Sequence, residues 1–339
     1  MRPFSATDSV SLAVQRTRDF LFGQFSWGTY LKLGLVAIIT EGWGTNLRSS
    51  ANKGARASGH GPMINSPFDI PATKVAMAMA GVLLVTLLCF WLFYLVTRLR
   101  FAFFHCLVHN TKEIRPGWRL YREPARRFFW LNVVVGLCYL VLMGLVALPF
   151  ITGFMRLFHD IPPGGHPDWG LLLALVLPLI PIILLFALMG FLTDLVLRDW
   201  ILPHYALDNA RAGEAWGWVW RSIADEKKEF FVYVLLRVVL PILAMVGLFV
   251  VLLIPGLVLF GSLGAIVYAI HSSFAAATGA SATVGVLLQV FFGAVGFFFL
   301  FLCSICLGGP VSTWVREYAI TFYGGRYKAL GDILVPPAA

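Results

Sequence analysis

The chain has 339 residues, of which 59% are hydrophobic and only 13% charged, with a formal net charge of +9. Its mean hydropathy of +0.82 lies far from soluble domains, in which roughly 25% of residues are charged. A water-soluble globular fold is excluded on that ground, and an all-α integral membrane protein is expected.

Along the chain, Asp8, Arg16, Arg18 and Asp19 interrupt any apolar stretch that a cleaved targeting signal would need, so the start reads as mature structure. Thr7 and Asp8 are placed to cap a helix carrying Val10, Val14, Thr17 and Leu21 on one face. Such a helix is expected to lie on the membrane surface. A short span near Tyr30 to Trp43 follows, with Lys32 and Glu41 inside it. Glu41, near its outer end, reads as interfacial. Longer apolar runs lie near Val75 to Val96, Phe129 to Ile151, Leu171 to Val196, Phe230 to Val251 and Val284 to Cys306. Each reaches the roughly 20 residues that cross a bilayer core as helix, which brings the expected total to about six transmembrane helices. The run from Phe230 to Ile270 is too long for one span. With Pro255 and Gly256 inside it, residues 252–276 read as a re-entrant or outer-surface helix, a further span being the other option.

Between the second and third spans stands RPGWRLYREPARRFFW, Arg115 to Trp130. Arg98, Arg100, Lys112, Arg115, Arg119, Arg122, Arg126 and Arg127 in this region are opposed only by Glu113 and Glu123. Basic residues collect in short cytoplasmic loops, so this loop is expected inside, and counting spans puts both termini inside too. Arg16, Arg18, Arg316, Arg326 and Lys328 agree, whereas Arg48, Lys53 and Arg56 run the other way. The expected location is a membrane crossed several times, with both termini on its cytoplasmic side.

Laid against itself at a shift of about one hundred residues, the chain shows a threefold pattern. Leu99-Arg100-Phe101, Arg198-Asp199-Trp200 and Arg316-Glu317-Tyr318 close the even spans, and His105 with Asn110 matches His204 with Asn209 at equal separation. Lys32 and Arg237 occupy corresponding places seven residues after a phenylalanine. A single membrane domain, 1–339, is therefore expected as three tandem units of interfacial amphipathic helix plus helical hairpin. Their approximate bounds are 7–100, 101–198 and 199–318, with a cytoplasmic tail at 319–339. In the third interfacial helix Trp216, Val219, Trp220 and Ile223 follow the i, i+3, i+4, i+7 spacing of one face.

Tryptophan favours headgroup depth and arginine snorkels to phosphates, each basic residue near an anionic leaflet contributing roughly 1 kcal/mol. The expected partners are thus membrane lipids, with anionic headgroups on the cytoplasmic face, and membrane-protein subunits. Nothing calls for nucleic acid. Lys32, Arg115, Arg119, Arg122, Arg126, Arg127, Trp216 and Trp220 are the candidate docking residues for a headgroup or a partner.

Four stretches carry a family likeness: YLKLGLVAI from Tyr30, RLRFAFFHCLVHN from Arg98 with RPGWRLYRE from Arg115, KKEFFVYVLLR from Lys227 and WVREYAITF from Trp314. Through them nearly the whole chain resembles uncharacterised bacterial inner-membrane proteins of unknown function. These are related in style to the membrane domain that accompanies some glycerophosphodiester phosphodiesterases. The resemblance implies a six-helix fold located in a bacterial inner membrane and brings no catalytic residue with it. The soluble phosphodiesterase barrel has no counterpart in this composition.

Candidates for chemistry are few. His105 and His109 are a helical turn apart, with no glutamate between them and no third ligand in view. They read as interfacial. Cys303 and Cys306 form a CxxC inside an apolar helix, where thiols behave as small hydrophobes. No cofactor and no metal is expected. Asp194 and Arg237 lie at similar depth in neighbouring spans and are expected to pair, because a charge inside the membrane is costly unless paired, hydrated or shallow. Pro178, Pro181, Pro241 and Pro255 interrupt apolar runs, as in helices broken around transporter sites. The leading function is a non-catalytic membrane subunit or scaffold. The alternative is a small transporter or lipid-handling protein with a site near Asp194 and Arg237.

Overall fold

The computed structural model describes residues 5–23, 25–54, 72–159, 169–274 and 279–334; of 42–54, 72–75, 158, 159, 169, 171 and 280 the backbone alone is described. All regular structure among them is helical: α1 (Asp8–Phe22), α2 (Trp27–Gly54), α3 (Ala72–Val108), α4 (Ile114–Leu120), α5 (Arg122–His159), α6 (Trp169–Leu195), a π-helical turn (Val196–Ile201), α7 (Leu202–Leu207), α8 (Ala212–Asp225), α9 (Lys227–Phe274), α10 (Ala280–Gly324) and α11 (Lys328–Leu334). Five helical stretches are long and apolar enough to cross a membrane, consistent with a multi-pass membrane protein: Ala76–Val108, Arg122–Leu157, Leu172–Leu207, Lys227–Phe274 and Ser281–Gly324. The sixth expected span falls in α2, whose side chains are described only as far as Glu41.

Contacts group the chain into two compact units, Met1–Gly117 with Ile223–Ala339, and Trp118–Ser222. In the first, α10 packs on α1, α2, α9 and α11. The core gathers at one end of these helices. Phe101, Phe103, Phe104 and Leu107 of α3 are fully buried, as are Phe20 of α1, Tyr233 of α9 and Tyr318 and Phe322 of α10. Tyr233 stacks on Tyr318 at 5.1 Å and on Phe322 at 4.3 Å, while Phe230 meets Phe322 edge-on at 5.4 Å.

Glycine and proline set the α2–α10 contact. A Cβ on Gly309 would lie 2.6 Å from the Gly34 Cα, and one on Gly34 would lie 3.2 Å from Ile305. Two backbones meet there as closely as small residues allow. The next residue, Pro310, has no N–H to give the Cys306 carbonyl one turn back, and the Tyr30 hydroxyl donates to that carbonyl at 2.7 Å.

Two sequence expectations are corrected in this unit. Helix α1 buries Ser9, Ala13, Thr17, Phe20 and Leu21, whereas Val14 is exposed. It docks on the chain through a face of small residues one and two turns apart, and its face is rotated from the one read from the valines. Thr7 makes no side-chain cap; the Ser5 hydroxyl accepts from the Asp8 N–H at 3.1 Å instead. The second correction concerns residues 252–276. Helix α9 runs unbroken through Pro241 and Pro255 to Phe274, 48 residues in all. A proline removes one hydrogen bond from a long helix, and neighbouring bonds hold the remainder. At 1.5 Å per residue α9 is about 70 Å long, well beyond the roughly 30 Å of a bilayer core. Residues 275–278 lie outside the described residues.

Within the second unit α5 pairs with α6. The Tyr139 hydroxyl donates to the Phe186 carbonyl, and Gly190 leaves that hydroxyl its space, since a Cβ there would lie 3.4 Å from it. Phe128 meets Tyr205 edge-on at 5.5 Å. Helix α8 buries Ala215 and Val219, with Trp216 and Trp220 exposed beside them. The small residues seat the helix, and the indoles of the face read from the sequence stand outside.

Asn110 and Asn209 are the non-glycine residues with positive φ among the described residues, at 50° and 51°. Each ends a helix in the left-handed conformation that asparagine tolerates. Behind Asn110 the Thr111 N–H reaches the Cys106 carbonyl at 2.9 Å, and behind Asn209 the Ala210 N–H reaches that of His204 at 3.3 Å.

The α2–α10 contact generates a prediction. Gly309→Val should lower unfolding free energy in detergent by about 1–3 kcal/mol through overpacking. Gly247→Ala, at a helical position with nothing within 4 Å, should be neutral or raise it by up to about 1 kcal/mol. Equal effects of the two would show that the backbones do not meet.

Candidate functional site

Charges inside an apolar helical protein identify the positions where the fold has to solve an electrostatic problem. Among the described residues, the charged ones buried outright are Arg100, Arg198, Asp199, Arg316 and Glu317. They fall in the charged and aromatic triplets that close the second, fourth and sixth apolar runs. Glu41 and Arg237 join them, with side chains 8% and 9% exposed.

In the first unit the centre is Glu41. The Arg237 Nη2 donates to Glu41 Oε2 at 3.2 Å, and the Arg316 Nε lies 4.0 Å from Glu41 Oε1. From α3, the Arg100 Nε donates to the Thr40 carbonyl at 3.1 Å. Three guanidinium groups and one carboxylate thus gather where α2, α3, α9 and α10 supply one group or more each. At the next residue of α10, the Arg16 Nε donates to Glu317 Oε2 at 3.0 Å and its Nη2 to the Leu107 carbonyl at 3.2 Å. Glu317 is 1% exposed. This pair borders a cleft of about 360 Å³ that Asp19, His109 and Asn110 also line.

The second unit has its own group. The Arg198 Nη2 meets Asp194 Oδ2 at 2.8 Å, with Asp194 half exposed. Arg198 and Asp199 lie in the π-helical turn, a geometry that often marks functional positions. His204 Nδ1 stands 3.8 Å from Asp208 Oδ2, and its ring lies 5.1 Å from that of Trp218.

Within the second unit Asp194 has Arg198 as a partner, and within the first Arg237 has Glu41. Sequence depth alone matched the two residues, but a carboxylate one helical turn from an arginine on its own helix has a nearer solution. Glu41, expected at the interface, is instead buried against Arg237 and Arg316. Its place was hard to read because its partners come from residues about 200 and 275 positions later. The signal was there in the triplets, which place Arg100, Asp199 and Glu317 at one position of the alignment. Lys32 is exposed, although it corresponds in sequence to buried Arg237.

Arg115, Arg119, Arg122, Arg126 and Arg127 are all exposed on α4 and the first turns of α5. Glu123 holds Arg126 at 2.9 Å and Arg127 at 3.6 Å. Gly117 seats the first turns of α4: a Cβ there would lie 2.8 Å from the His105 Cβ and 3.0 Å from the Ala102 Cα. The His105 and His109 rings lie 4.4 Å apart, and no group of three or more His, Cys, Asp or Glu that could hold a metal ion occurs among the described residues.

The cluster generates a double-mutant prediction. Arg237→Leu and Glu41→Leu should each cost roughly 3–5 kcal/mol of unfolding free energy in detergent, since each breaks a buried ion pair. Glu41→Leu should be the worse because Arg237 and Arg316 both lose its carboxylate. The double variant should cost at least about 1 kcal/mol less than the sum of the two. Strict additivity would show that the groups do not interact.

Comparison with known proteins adds one finding. No curated protein and no solved structure matches the chain. A family model does match, over residues 4–333, and the chain accordingly belongs to the Family of unknown function (DUF7544).

Proposed function

We propose that the protein is a non-catalytic integral membrane subunit or scaffold of a bacterial inner-membrane complex. The observation that carries this reading is how bare the apolar helices are. In the most apolar stretch of each of the five long helices, the chain itself buries no more than 6% of the residues. Apolar faces of this extent need lipid or partner helices over them. Gly136 and Gly144 on α5, and Gly247, Gly256, Gly261 and Gly264 on α9, have nothing within 4 Å of a built Cβ. Positions of this kind let a second helix approach closely.

In this reading the exposed arginines of α4 and α5 face the cytoplasm together with both termini, and anionic headgroups meet them there. Trp216 and Trp220, 46% and 63% exposed, sit at headgroup depth. The chain is built as three tandem repeats, a view supported by the matching backbone at Asn110 and Asn209. The likeness to the membrane domain of glycerophosphodiester phosphodiesterases then concerns the scaffold part alone.

The alternative, a small transporter or lipid-handling protein, draws support from the buried charges around Arg237 and from the prolines within α6 and α9. The two readings part in a cross-linking experiment. A photoreactive residue at Leu184 of α6 or Phe249 of α9, both strongly exposed, should give in cells a discrete adduct with another membrane protein. Adducts with lipid only would sink the subunit reading and favour the alternative.

Topology is tested separately. Single cysteines at Ser58 and Gly165, in a background without the native five, should react with an impermeant reagent added outside, and those at Arg119 and Ala339 should not. Outside labelling at Arg119 or Ala339 would overturn the orientation.

A further inference from the structure

We propose that the open cavity at the start of α9 binds the phosphate group of an anionic phospholipid through Lys227 and Lys228. The cavity lies within the first unit, where the chain ahead of α1, the link between α8 and α9 and the residues after α10 come together. Its space is about 610 Å³, against the roughly 10–15 Å³ that admits one water molecule. A phosphate and its headgroup have room there.

The walls are braced by contacts that leave the two lysines out. The Arg326 Nε donates to Glu226 Oε2 at 2.8 Å and its Nη2 lies 2.6 Å from the same oxygen, while its Nη1 donates to the Phe322 carbonyl at 3.0 Å. Glu229 Oε2 accepts from the Ala6 N–H at 2.9 Å. One cation and two carboxylates are thus engaged within the fold. Lys227, Lys228 and Asp225 line the cavity and are exposed, and among the described residues their side chains take part in no ion pair or hydrogen bond. Together they carry one positive charge, which calls for an anion.

Helix α9 decides the source of that anion in favour of a lipid. Lys227, Phe231, Leu235, Val238 and Ile242 follow one another at intervals of three or four residues, hence along one face, and all five are exposed. Phe230 and Tyr233, on another face, are buried in the fold. A lysine therefore heads a bare apolar stripe whose first residue is one turn, about 6 Å, further along the helix. A phospholipid has the same order, phosphate first and acyl chains behind it. Lysine stems cover apolar surface while their ammonium groups reach phosphate oxygens at headgroup depth, and acyl chains lie along Phe231 and Leu235. Asp225 is left for the headgroup beyond the phosphate, where a carboxylate accepts from hydroxyls. The site rests on α9 crossing the membrane and not on the subunit reading.

Delipidated protein in a mild detergent tests this, with bound lipid counted by native mass spectrometry and unfolding followed by thermal melts. Phosphatidylglycerol should bind as one tightly held molecule and raise the melting temperature, with phosphatidylcholine weaker. Lys227→Gln and Lys228→Gln should each weaken phosphatidylglycerol binding about fivefold, and the double variant about twenty-five-fold. Without lipid the double variant should melt as the wild type does, since neither side chain has a partner to lose, and so a loss of binding cannot be laid to misfolding. Arg18→Gln, which removes an exposed charge of α1, should leave the affinity unchanged. Equal phosphatidylglycerol affinity in wild type and the double variant, or an equal loss in Arg18→Gln, would overturn the proposal. So would displacement of phosphatidylglycerol by millimolar inorganic phosphate that itself raises the wild-type melting temperature, because the site would then belong to the free ion. The measurement uses the isolated protein and stands whatever cross-linking at Leu184 or Phe249 gives.

Discussion

A carboxylate removed from water must be met by a cation, and two glutamates set that requirement here. Glu317 on α10 is closed off almost completely and has Arg16 of α1 as its partner. Glu41 on α2 has Arg237 of α9 and Arg316 of α10. Each pair joins helices far apart in sequence. Desolvation makes such pairs weak contributors to net stability, yet breaking one strands a charge at a cost of several kcal/mol. Their effect is therefore on arrangement: α1 must lie on α10 in one register, and α2 must enter the α9–α10 pair at the level of Glu41. The buried aromatic layer of Tyr233, Tyr318 and Phe322 fills the space that this arrangement leaves.

Backbone chemistry supports the same contacts. Apolar surroundings offer no water to a carbonyl without its helical N–H, so each proline inside a long helix creates a need for another donor. At Pro310 the need is met by the Tyr30 hydroxyl from α2, a turn from the point where Gly34 and Gly309 bring the two backbones together. Proline and glycine, read one at a time as breaks in a helix, act together here as a docking surface.

Much of this was legible in the sequence. Long uninterrupted apolar runs gave helices, and the recurrence of Arg100, Asp199 and Glu317 at one aligned position picked out the residues that turn out to be buried. The equal spacing of His105 to Asn110 and His204 to Asn209 likewise marked two helix ends with the same left-handed residue. Partners were not legible. The match of Asp194 with Arg237 used depth alone, and depth does not distinguish a neighbour on the same helix from one across the fold. The face of α1 was misplaced for a related reason. Thr17 and Leu21 of the expected face are buried, but Val14 is not, and Ser9 and Ala13, whose small size a hydropathy pattern does not weigh, are buried in addition.

The distribution of packing along the helices is uneven, and that unevenness bears on function. Nearly every buried charge and large buried aromatic ring in the first unit lies where α3 and α10 end and α9 begins. Away from that end the same helices continue for tens of ångströms with side chains exposed along most of their length. A helix pair of this kind has its register fixed at one end by directional contacts and its remaining surface left to non-directional ones. Lipid chains satisfy such a surface as well as protein does, since both are apolar. Specific recognition therefore has to come from the places where polar groups interrupt the apolar surface. On α9 and α10 such groups stand at the packed end, where Arg237 and Arg316 meet Glu41.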